Sequence, residues 1–212
     1  VIFVPFVITG ERALVEITER KRDFARARLI KVIQPAKERT APECSHFGEC
    51  GGCQYQHIDY NTQVGIKLDQ VRNLFARVGG FDTDIVSDII PCPAPYGYRN
   101  RIMVRRQWDK TKEKAVYGFL RHDNRLVVDL EACKIAESAL NEQLAQLKEN
   151  PPPRNMQKVV LRMMPDDWEI HRDSFFQNNF HLLPKLVETV RKYLSGAGTK
   201  YLVDAYCGIG FF

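Results

Sequence analysis

The sequence lacks any apolar run that approaches the roughly 20 residues needed to cross a bilayer. Its first residues, VIFVPFVITGERA, have no basic segment ahead of the apolar ones and no small-residue cleavage pattern, so they do not resemble a signal peptide. Internal repeats and low-complexity tracts are also missing. A hydrophobic content of 44% and a charged content of 27% exclude fibrous and wholly disordered classes. We therefore expect a folded, cytoplasmic, monomeric protein without a membrane partner.

Cysteine is scarce, yet three of the six cysteines lie within ten residues, at Cys44, Cys50 and Cys53. Three thiols cannot pair among themselves, and the expected reducing compartment argues against disulfides. The C-x5-C-x2-C spacing therefore predicts a metal site, and spacing alone leaves zinc and an iron–sulfur cluster equally open. A fourth ligand has to come from Cys92, Cys133 or Cys207.

Acidic residues are outnumbered, and the net charge is +5. Ten basic residues bunch in two stretches, ERKRDFARARLIK (19–31) and YRNRIMVRR (98–106). A basic stretch with interleaved aromatic residues suits contact with phosphates and stacking on bases. These stretches indicate a nucleic-acid partner, although surface charge also occurs simply as a solvated face.

Hydrophobic periodicity predicts an α+β protein. Residues 1–34 alternate apolar and polar side chains, which predicts three strands of a small antiparallel barrel, and residues 35–60 are rich in turns. Helical stripes are predicted over about 62–78, 134–149 and 183–194, the first ended by Gly79 and Gly80 and the last beginning near Pro184. The further predicted strands are RIMVRRQW, KAVYGFLR, NRLVVDL, the pair KVVLRMM and DWEIHRD, and the buried-type strand YLVDAY.

The stretch VDAYCGIG contains the end of that last predicted strand, with the acidic Asp204, and then a G-x-G turn. In α/β nucleotide folds such a turn lets a ligand approach the backbone at the head of a strand. The third glycine of a dinucleotide fingerprint is absent, and Asp204 stands where a first glycine would be. The pattern therefore favours an S-adenosylmethionine site over an NAD site, with an ordinary strand-to-helix turn as the alternative.

Five motifs, CSHFGECGGCQYQH, GYRNR, EACKI, DSFFQNN and VDAYCGIG, occur in the order found in the iron–sulfur-containing RNA 5-methyluridine methyltransferases, which the chain resembles over nearly its whole length. The resemblance implies a TRAM domain, an oligonucleotide-binding-like (OB-like) barrel, over residues 1–40. An iron–sulfur and β-rich central domain follows over 41–172, and a Rossmann-like methyltransferase domain begins at 173–212. Since the sequence starts inside a strand-like run and stops in a glycine turn, we expect a fragment.

The resemblance also assigns residues. It implies a 4Fe–4S cluster held by Cys44, Cys50, Cys53 and Cys133. It places Phe175 beside a flipped target base and Gln177 at both cofactor and substrate, and we expect Arg99 and Arg101 to contact the RNA. Without the resemblance, Phe175 and Phe176 would be core residues, and we expect one of them to be buried. The cofactor turn comprises Asp204, Tyr206, Gly208, Gly210 and Phe211, the last of which stands where the family commonly has asparagine or threonine.

The implied reaction is transfer of a methyl group from S-adenosylmethionine to carbon 5 of a uridine, in 23S rRNA or alternatively in tRNA. A cysteine thiolate adds to carbon 6, and a general base later removes the carbon-5 proton. The family's nucleophile and base lie downstream of Phe212, so Cys207 is rejected as nucleophile and we expect this chain alone to be inactive. The alternatives from other classes are a non-enzymatic RNA-binding module and a zinc-stapled structural domain.

Overall fold

The structure is a computed structural model that describes residues 1–164, 171, 174–195, 198 and 200–210. The chain folds into two compact units, Val1–Pro91 and Cys92–Phe212. The finer division at residues 40 and 172 stays a prediction. Within the described residues, none of the helices combines the length and apolarity that a membrane span requires.

The first unit opens with a three-stranded sheet. Its strands are β1 (Ile2–Phe3), β2 (Arg12–Arg20) and β3 (Ala25–Gln34), in the order β1-β3-β2. The pair β2–β3 is antiparallel, as predicted, but β1 runs parallel to β3, with Ile2 opposite Ala25. The prediction of a wholly antiparallel barrel is therefore wrong for the described residues, where the sheet is open. Closing a sheet requires its first and last strands to pair, and this sheet ends in two unpaired edges.

A helix, α1 (Tyr60–Leu74), follows the cysteine segment and continues as a π-helical turn over Phe75–Gly79. The carboxylate of Asp59 caps its start by accepting a hydrogen bond from the backbone N–H of Thr62 at 3.0 Å. Gly80 ends it in the left-handed conformation, with φ of 66°. The predicted helix and its glycine stop are confirmed.

The second unit is built on a four-stranded antiparallel sheet in the order β6-β5-β4-β7. Its strands are β4 (Arg101–Asp109), β5 (Lys114–Leu120), β6 (Val127–Asp129) and β7 (Lys158–Arg162). Helix α2 (Ser138–Glu149) contributes Leu140 and Leu144 to the core, and both are fully buried, as is Val104 of β4. These strands confirm the sequence predictions, except that DWEIHRD lies outside the described residues apart from His171.

Two predictions for the second unit need correction. Helix α2 begins at Ser138 rather than near Lys134, because the backbone of the preceding residues bonds to another segment, as described below. YLVDAY is not a strand: its residues are exposed, with Tyr201 at 90% and Val203 at 85%. A buried strand needs neighbours that take its backbone N–H and C=O groups, and no described residue does so here. Helix α3 (Leu183–Ser195), with Pro184 in its first turn, is confirmed.

Candidate functional site

Two of the sequence motifs meet at Asn100, whose side chain is buried at 2% exposure. Its backbone N–H donates to the carbonyl oxygen of Asn178 at 3.0 Å, and its Nδ2 donates to the carbonyl oxygen of Gln177 at 2.8 Å. Its own carbonyl oxygen accepts from the backbone N–H of Met163 at 2.9 Å. Asn100 thus fastens the GYRNR motif to the DSFFQNN motif. Sequence reasoning quoted this asparagine within its motif but gave it no role.

The third motif, EACKI, joins on the other side of the same segment. The backbone N–H of Arg99 donates to the carbonyl oxygen of Ile135 at 2.8 Å, and Glu137 N–H donates to the carbonyl oxygen of Arg99 at 3.0 Å. Gly97 N–H adds a bond to the carbonyl oxygen of Lys134 at 2.9 Å. These extended contacts explain the late start of α2. They also hold the backbone of Arg99 between two other motifs.

The side chains of Arg99 and Arg101 lie within this junction. Because side chains alternate along an extended backbone, the two arginines project from the same side of the segment, and Asn100 projects from the other. The Nε atoms of both arginines are buried and have no hydrogen-bond partner among the described residues. A buried donor without an acceptor costs free energy, and an anionic oxygen is the partner that a guanidinium prefers. The contact of this pair with RNA stays a prediction.

The neighbouring phenylalanines divide into one buried and one exposed ring. Phe176 is 5% exposed, and its ring packs edge-on against Phe180 with centroids 6.0 Å apart. Phe175 is 72% exposed. The expectation that one of the two belongs to the core is confirmed for Phe176. The stacking of Phe175 on a base stays a prediction, but its ring is accessible for that contact.

The cofactor motif forms a turn, as predicted. Three of its residues have positive φ: Tyr206 at 70°, Gly208 at 59° and Gly210 at 71°. The backbone N–H of Gly210 donates to the carbonyl oxygen of Cys207 at 2.9 Å, which closes the turn. Glycine fits the left-handed conformation at two of these positions because it has no Cβ. Asp204 is exposed before the turn, and Phe211 lies outside the described residues.

Gln177 and this turn are not joined by any hydrogen bond between described residues. Among the described cofactor residues, Gln177 is bonded to Asn100, whereas Asp204, Tyr206, Gly208 and Gly210 belong to the turn segment. The structure brings together the predicted RNA-contacting residues, in contrast, through the backbone bonds around Arg99 and Asn100.

The cysteine segment of the first unit is a series of tight turns. The backbone N–H of Cys50 donates to the carbonyl oxygen of His46 at 2.9 Å, and the Sγ of Cys50 accepts from the backbone N–H of Gly52 at 3.4 Å. The backbone N–H of Cys44 donates to the Oε1 of Gln56 at 3.2 Å. Hydrogen bonds of two predicted sulfur ligands, Cys44 and Cys50, thus help to shape the segment.

The remaining predicted ligand, Cys133, is buried in the second unit. Asn141 clamps its backbone: Cys133 N–H donates to the Asn141 Oδ1 at 2.8 Å, and Asn141 Nδ2 donates to the carbonyl oxygen of Cys133 at 3.3 Å. No disulfide joins any of the six cysteines. Among the described residues, no three His, Cys, Asp or Glu side chains are grouped so that they could hold a metal ion. The metal-site prediction is therefore not confirmed.

A buried ion pair adjoins the cysteine segment and was missed by sequence reasoning, because nothing marks two charged residues 28 positions apart as partners. Arg39 Nη2 donates to Glu11 Oε2 at 2.7 Å. The carboxylate of Glu11 also accepts from the backbone N–H groups of Ile8 at 2.9 Å and Ala36 at 3.2 Å. The hydrogen bonds from Arg39 and from these N–H groups, together with the charge of Arg39, lower the pKa of Glu11 to about 2. The pair links the strand region to the segment that follows β3.

A buried histidine lies beside this ion pair. His57 is 3% exposed, and its ring lies 5.5 Å from that of Phe47 and 6.0 Å from that of Phe6, measured between centroids. Neither ring nitrogen has a hydrogen-bond partner among the described residues. Burial, followed by the nearby positive charge of Arg39, lowers the pKa of His57. The ring is therefore neutral at physiological pH and acts as part of an aromatic cluster.

No family model matches the chain. Curated relatives do match: the chain is 34% identical over 146 residues to the 23S rRNA (uracil(1939)-C(5))-methyltransferase RlmD of Vibrio cholerae. It is 35% identical over 150 residues to an uncharacterized RNA methyltransferase of Synechocystis. These matches cover 69% and 71% of this chain but only 33% and 32% of the relatives, so the chain spans about a third of their length.

A solved structure has the same fold. The tRNA (uracil-54, C5)-methyltransferase of Pyrococcus abyssi, in complex with S-adenosyl-L-homocysteine, superposes with a TM-score of 0.68 at 21% identity. The superposition covers 100% of this chain and 64% of that one. The structural match shows the shared fold. The sequence relatives are RNA methyltransferases, and the one whose target is named acts on uracil C5, so the chain belongs to the family of RNA uracil-C5-methyltransferases.

Proposed function

We propose that the whole protein transfers a methyl group from S-adenosylmethionine to carbon 5 of a uridine in RNA, with 23S rRNA as the favoured substrate. The observation that carries this proposal is the 34% identity to the 23S rRNA (uracil(1939)-C(5))-methyltransferase of Vibrio cholerae. The fold shared with a tRNA methyltransferase keeps tRNA as the second candidate substrate. An RNA substrate, together with the lack of disulfides, also favours the cytoplasm as the place of action.

The junction of the GYRNR, EACKI and DSFFQNN motifs is the proposed RNA-binding site. Arg99 and Arg101 are partly buried at this junction, and their guanidinium groups supply positive charge for a phosphate of the substrate. Phe175 offers an exposed ring on which a base that has left its stack can lie. Because Phe176 is anchored in the core and Asn100 holds the backbone of Gln177, the ring of Phe175 is presented from a fixed segment.

Cofactor binding falls to the glycine turn, with Gln177 as a further contact. The positive φ angles of Gly208 and Gly210 bring the backbone close to any ligand that rests on the turn, since neither residue has a Cβ to interfere. Asp204 and Tyr206 are exposed and able to contact the cofactor. Phe211, which the resemblance also assigns to the cofactor site, lies outside the described residues. When bound, S-adenosylmethionine supplies the electrophilic methyl group.

The chemical step needs groups beyond those at this junction. Carbon 5 of uracil is a weak nucleophile, and it is activated when a cysteine thiolate adds to carbon 6. A general base then removes the proton from carbon 5, and the thiolate leaves. Cys207 belongs to the cofactor turn and is not proposed as the nucleophile. The role of the described residues is to bind the RNA, to orient the target base and to hold the cofactor.

The test is a methyl-transfer assay with the whole protein, labelled S-adenosylmethionine, and either unmodified 23S rRNA or unmodified tRNA. We expect 5-methyluridine in the 23S rRNA, identified by nucleoside analysis, and none with the 212-residue chain alone. Modification of tRNA only would move the proposal to the second substrate. If the whole protein binds RNA but methylates neither RNA, the proposed enzyme would be wrong and a non-enzymatic RNA-binding module would be the better interpretation.

A matched pair of variants tests the role of the exposed ring. Phe175→Leu should lower kcat/KM about tenfold to a hundredfold, since stacking a base on an aromatic ring contributes about 1–3 kcal/mol, and should leave the melting temperature unchanged. Phe176→Leu should show the reverse, a lower melting temperature because its side chain is in the core. Equal kinetic effects of the two substitutions would remove Phe175 from the base-binding role.

We further propose, from the resemblance and the ligand chemistry, that Cys44, Cys50, Cys53 and Cys133 hold a 4Fe–4S cluster. Thiolates are the ligands such clusters take, and backbone N–H groups that donate to the sulfurs are typical of them, as Gly52 does to Cys50. Four irons and four sulfides per chain are expected after anaerobic purification, to be lost in Cys133→Ala. Cys92→Ala and Cys207→Ala are the matched controls and should keep the iron. Zinc without sulfide would contradict the proposal.

A further inference from the structure

Phe6, in the turn between β1 and β2, has a backbone conformation that is rare for a bulky residue. Its φ is 65°, in the left-handed region, where the Cβ atom crowds a neighbouring carbonyl oxygen. Such a conformation costs free energy and persists only where other contacts hold it. The contacts of Phe6 therefore indicate what keeps the strained residue in place.

One contact of Phe6 belongs to the buried ion pair. Its carbonyl oxygen accepts a hydrogen bond from Arg39 Nη2 at 2.7 Å, and the same nitrogen donates to Glu11. A second contact belongs to the cysteine segment: the ring of Phe6 packs edge-on against the ring of Phe47, with centroids 5.2 Å apart and an interplanar angle of 71°. Phe6 thus connects the residues that precede β2 with the loop between two of the proposed sulfur ligands.

Phe47 lies midway between Cys44 and Cys50 in the sequence, and its backbone is tied to both. Its N–H donates to the carbonyl oxygen of Cys44 at 3.1 Å, and Phe47 forms an isolated β-bridge with Cys50. A metal that binds both sulfurs restrains this loop, because its ligands have to lie at fixed distances from it. The metal therefore also restrains the ring of Phe47.

The ring of His57 is the third member of this group, and Phe6, Phe47 and His57 are here called the aromatic cluster. His57 is 3% exposed, and its ring lies 5.5 Å from the ring of Phe47 and 6.0 Å from that of Phe6, measured between centroids. The carbonyl oxygen of His57 accepts from the backbone N–H of Thr40 at 3.0 Å. Because the segment after β3 anchors His57 in this way, Phe47 is the member whose position the cysteine loop sets.

We propose that the aromatic cluster couples metal binding by the cysteine segment to the turn between β1 and β2. With the metal bound, Phe47 holds Phe6 in its left-handed conformation. Without the metal, the loop releases Phe47 and the backbone of Phe6 relaxes, which loosens the turn that carries the Ile8 N–H to the Glu11 carboxylate. The inference rests on the proposed metal site and assigns a role to residues that are not its ligands.

The test compares hydrogen exchange at the Ile8 amide, by mass spectrometry, in the whole protein purified anaerobically and in the same protein after an oxidant and a chelator have removed its metal. Metal content is measured on both samples. Exchange at Ile8 should be at least about fivefold faster without metal, the lower end of typical coupling between sites. The amide of Val104, a fully buried residue of the second unit, is the internal reference and should exchange at the same rate in both samples.

A pair of variants tests the path of the coupling. Phe47→Leu keeps an apolar side chain but loses the ring contacts, so the loaded variant should keep its iron and exchange at Ile8 as fast as the metal-free protein. Phe24→Leu is the matched control, because Phe24 packs against Phe3 at 5.8 Å in the same unit but outside the aromatic cluster. It should keep the wild-type difference between loaded and metal-free protein.

Equal exchange at Ile8 in loaded and metal-free wild-type protein would overturn the coupling and leave the metal site intact, and a metal dependence that survives in Phe47→Leu would also overturn it. The wild-type comparison requires no variant, so it decides even where Phe47→Leu fails to bind metal. Zinc in place of iron, with metal-dependent exchange at Ile8, would refute the iron–sulfur cluster and retain the coupling. A wild-type protein without bound metal would overturn both.

Discussion

Each of the two units is stabilised internally by a different kind of contact. In the second unit, Val104, Leu140 and Leu144 are fully buried between a four-stranded sheet and a helix. In the first unit, helix α1 has no buried residue. Two of the few buried residues elsewhere in that unit are polar, Gln56 and His57. Apolar burial is insensitive to pH, whereas a buried ion pair and a buried neutral histidine are not.

This difference teaches that two parts of one chain can be ordered by different interactions. In the second unit, the backbone N–H and C=O groups are paired in a four-stranded sheet, and aliphatic side chains exclude water from the core. The first unit orders its turns through directional bonds, with Glu11 serving one guanidinium and two backbone N–H groups at once. Substitutions in the two units should therefore respond differently to packing and to pH.

The largest expected effect comes from a substitution that disrupts the packing of the second unit. Leu144→Ala removes a fully buried side chain and leaves a cavity, so it should lower the local free energy of unfolding by about 4 kcal/mol. Native-state hydrogen exchange at the amides of β4 measures it. Leu74→Ala, at a side chain that is 59% exposed, is the control and should change little. Similar losses at both sites would mean that the second unit has no dominant apolar core.

The next largest effect is expected from removing the ion pair between Glu11 and Arg39 in the first unit. Because the pKa of Glu11 is lowered from 4.5 to about 2, its ionised form contributes about 3 kcal/mol of stability near neutral pH. Glu11→Gln should remove most of this and should speed hydrogen exchange at the amides of Ile8 and Ala36, which bond to the carboxylate. Unchanged exchange there would show that these N–H groups have other acceptors.

Acid should destabilise the first unit before the second, because Glu11 and His57 both lie in the first unit. A lowered folded-state pKa means that the unfolded chain binds the proton first, so the Glu11 contribution is full above about pH 4.5 and is lost as the pH falls toward 2. His57, whose pKa is also lowered, adds a loss that begins as the pH falls through its ordinary value of 6.5. Exchange rates in β2 and β3 should rise in acid before those in β4 and β5. Glu11→Gln should flatten the profile below pH 4.5.

A smaller effect tests the junction of the motifs. Asn100→Ala leaves the carbonyl oxygen of Gln177 without its donor in a partly buried position, which should cost about 1 kcal/mol. It should also lower RNA affinity, because the segment that presents Phe175 loses its attachment. Asn61→Ala, at an exposed residue of α1, is the matched control and should alter neither quantity. Loss of stability without loss of affinity would limit Asn100 to a structural role.

The smallest effect compares two ion pairs within the first unit. Arg28 binds Glu16 across β2 and β3 with both side chains more than half exposed. Such pairs contribute about 0.5 kcal/mol or less, because water and salt screen them. Arg28→Gln should therefore shift the urea midpoint far less than Glu11→Gln. Equal shifts would mean that burial does not distinguish the two pairs.

Several elements could be predicted from local sequence because their signals are local. Gly80 ends the first helix in the left-handed conformation, and Pro184 sits in the first turn of α3. Ile102 and Val104 are buried and alternate with the less buried Arg101, Met103 and Arg105, which marks β4 as a strand with one buried face. YLVDAY carried an equally clear apolar signal and is not a strand, because a strand also requires partners that no local signal supplies.

The site divides in the same way. Phe175, Gln177, Arg99 and Arg101 could each be found from their motifs, but the bonds that join these motifs span 77 residues between Asn100 and Gln177. The parallel contact between Arg99 and the segment before α2 had no signal either, and it displaced the start of that helix. The rings of Phe6 and Phe47 were visible only as scattered aromatic residues until the fold brought them together.

The sequence by itself determined the order of the motifs, the family, most helices and strands, and the residues predicted to contact RNA and cofactor. It did so because periodicity, glycine stops and motif spacing are properties of neighbouring residues. Only the tertiary structure decided that β1 runs parallel to β3, that Glu11 pairs with Arg39, and that Arg105 faces Lys158. These contacts depend on strand register and on chain reversal, which bring distant residues together and which no short stretch of sequence encodes.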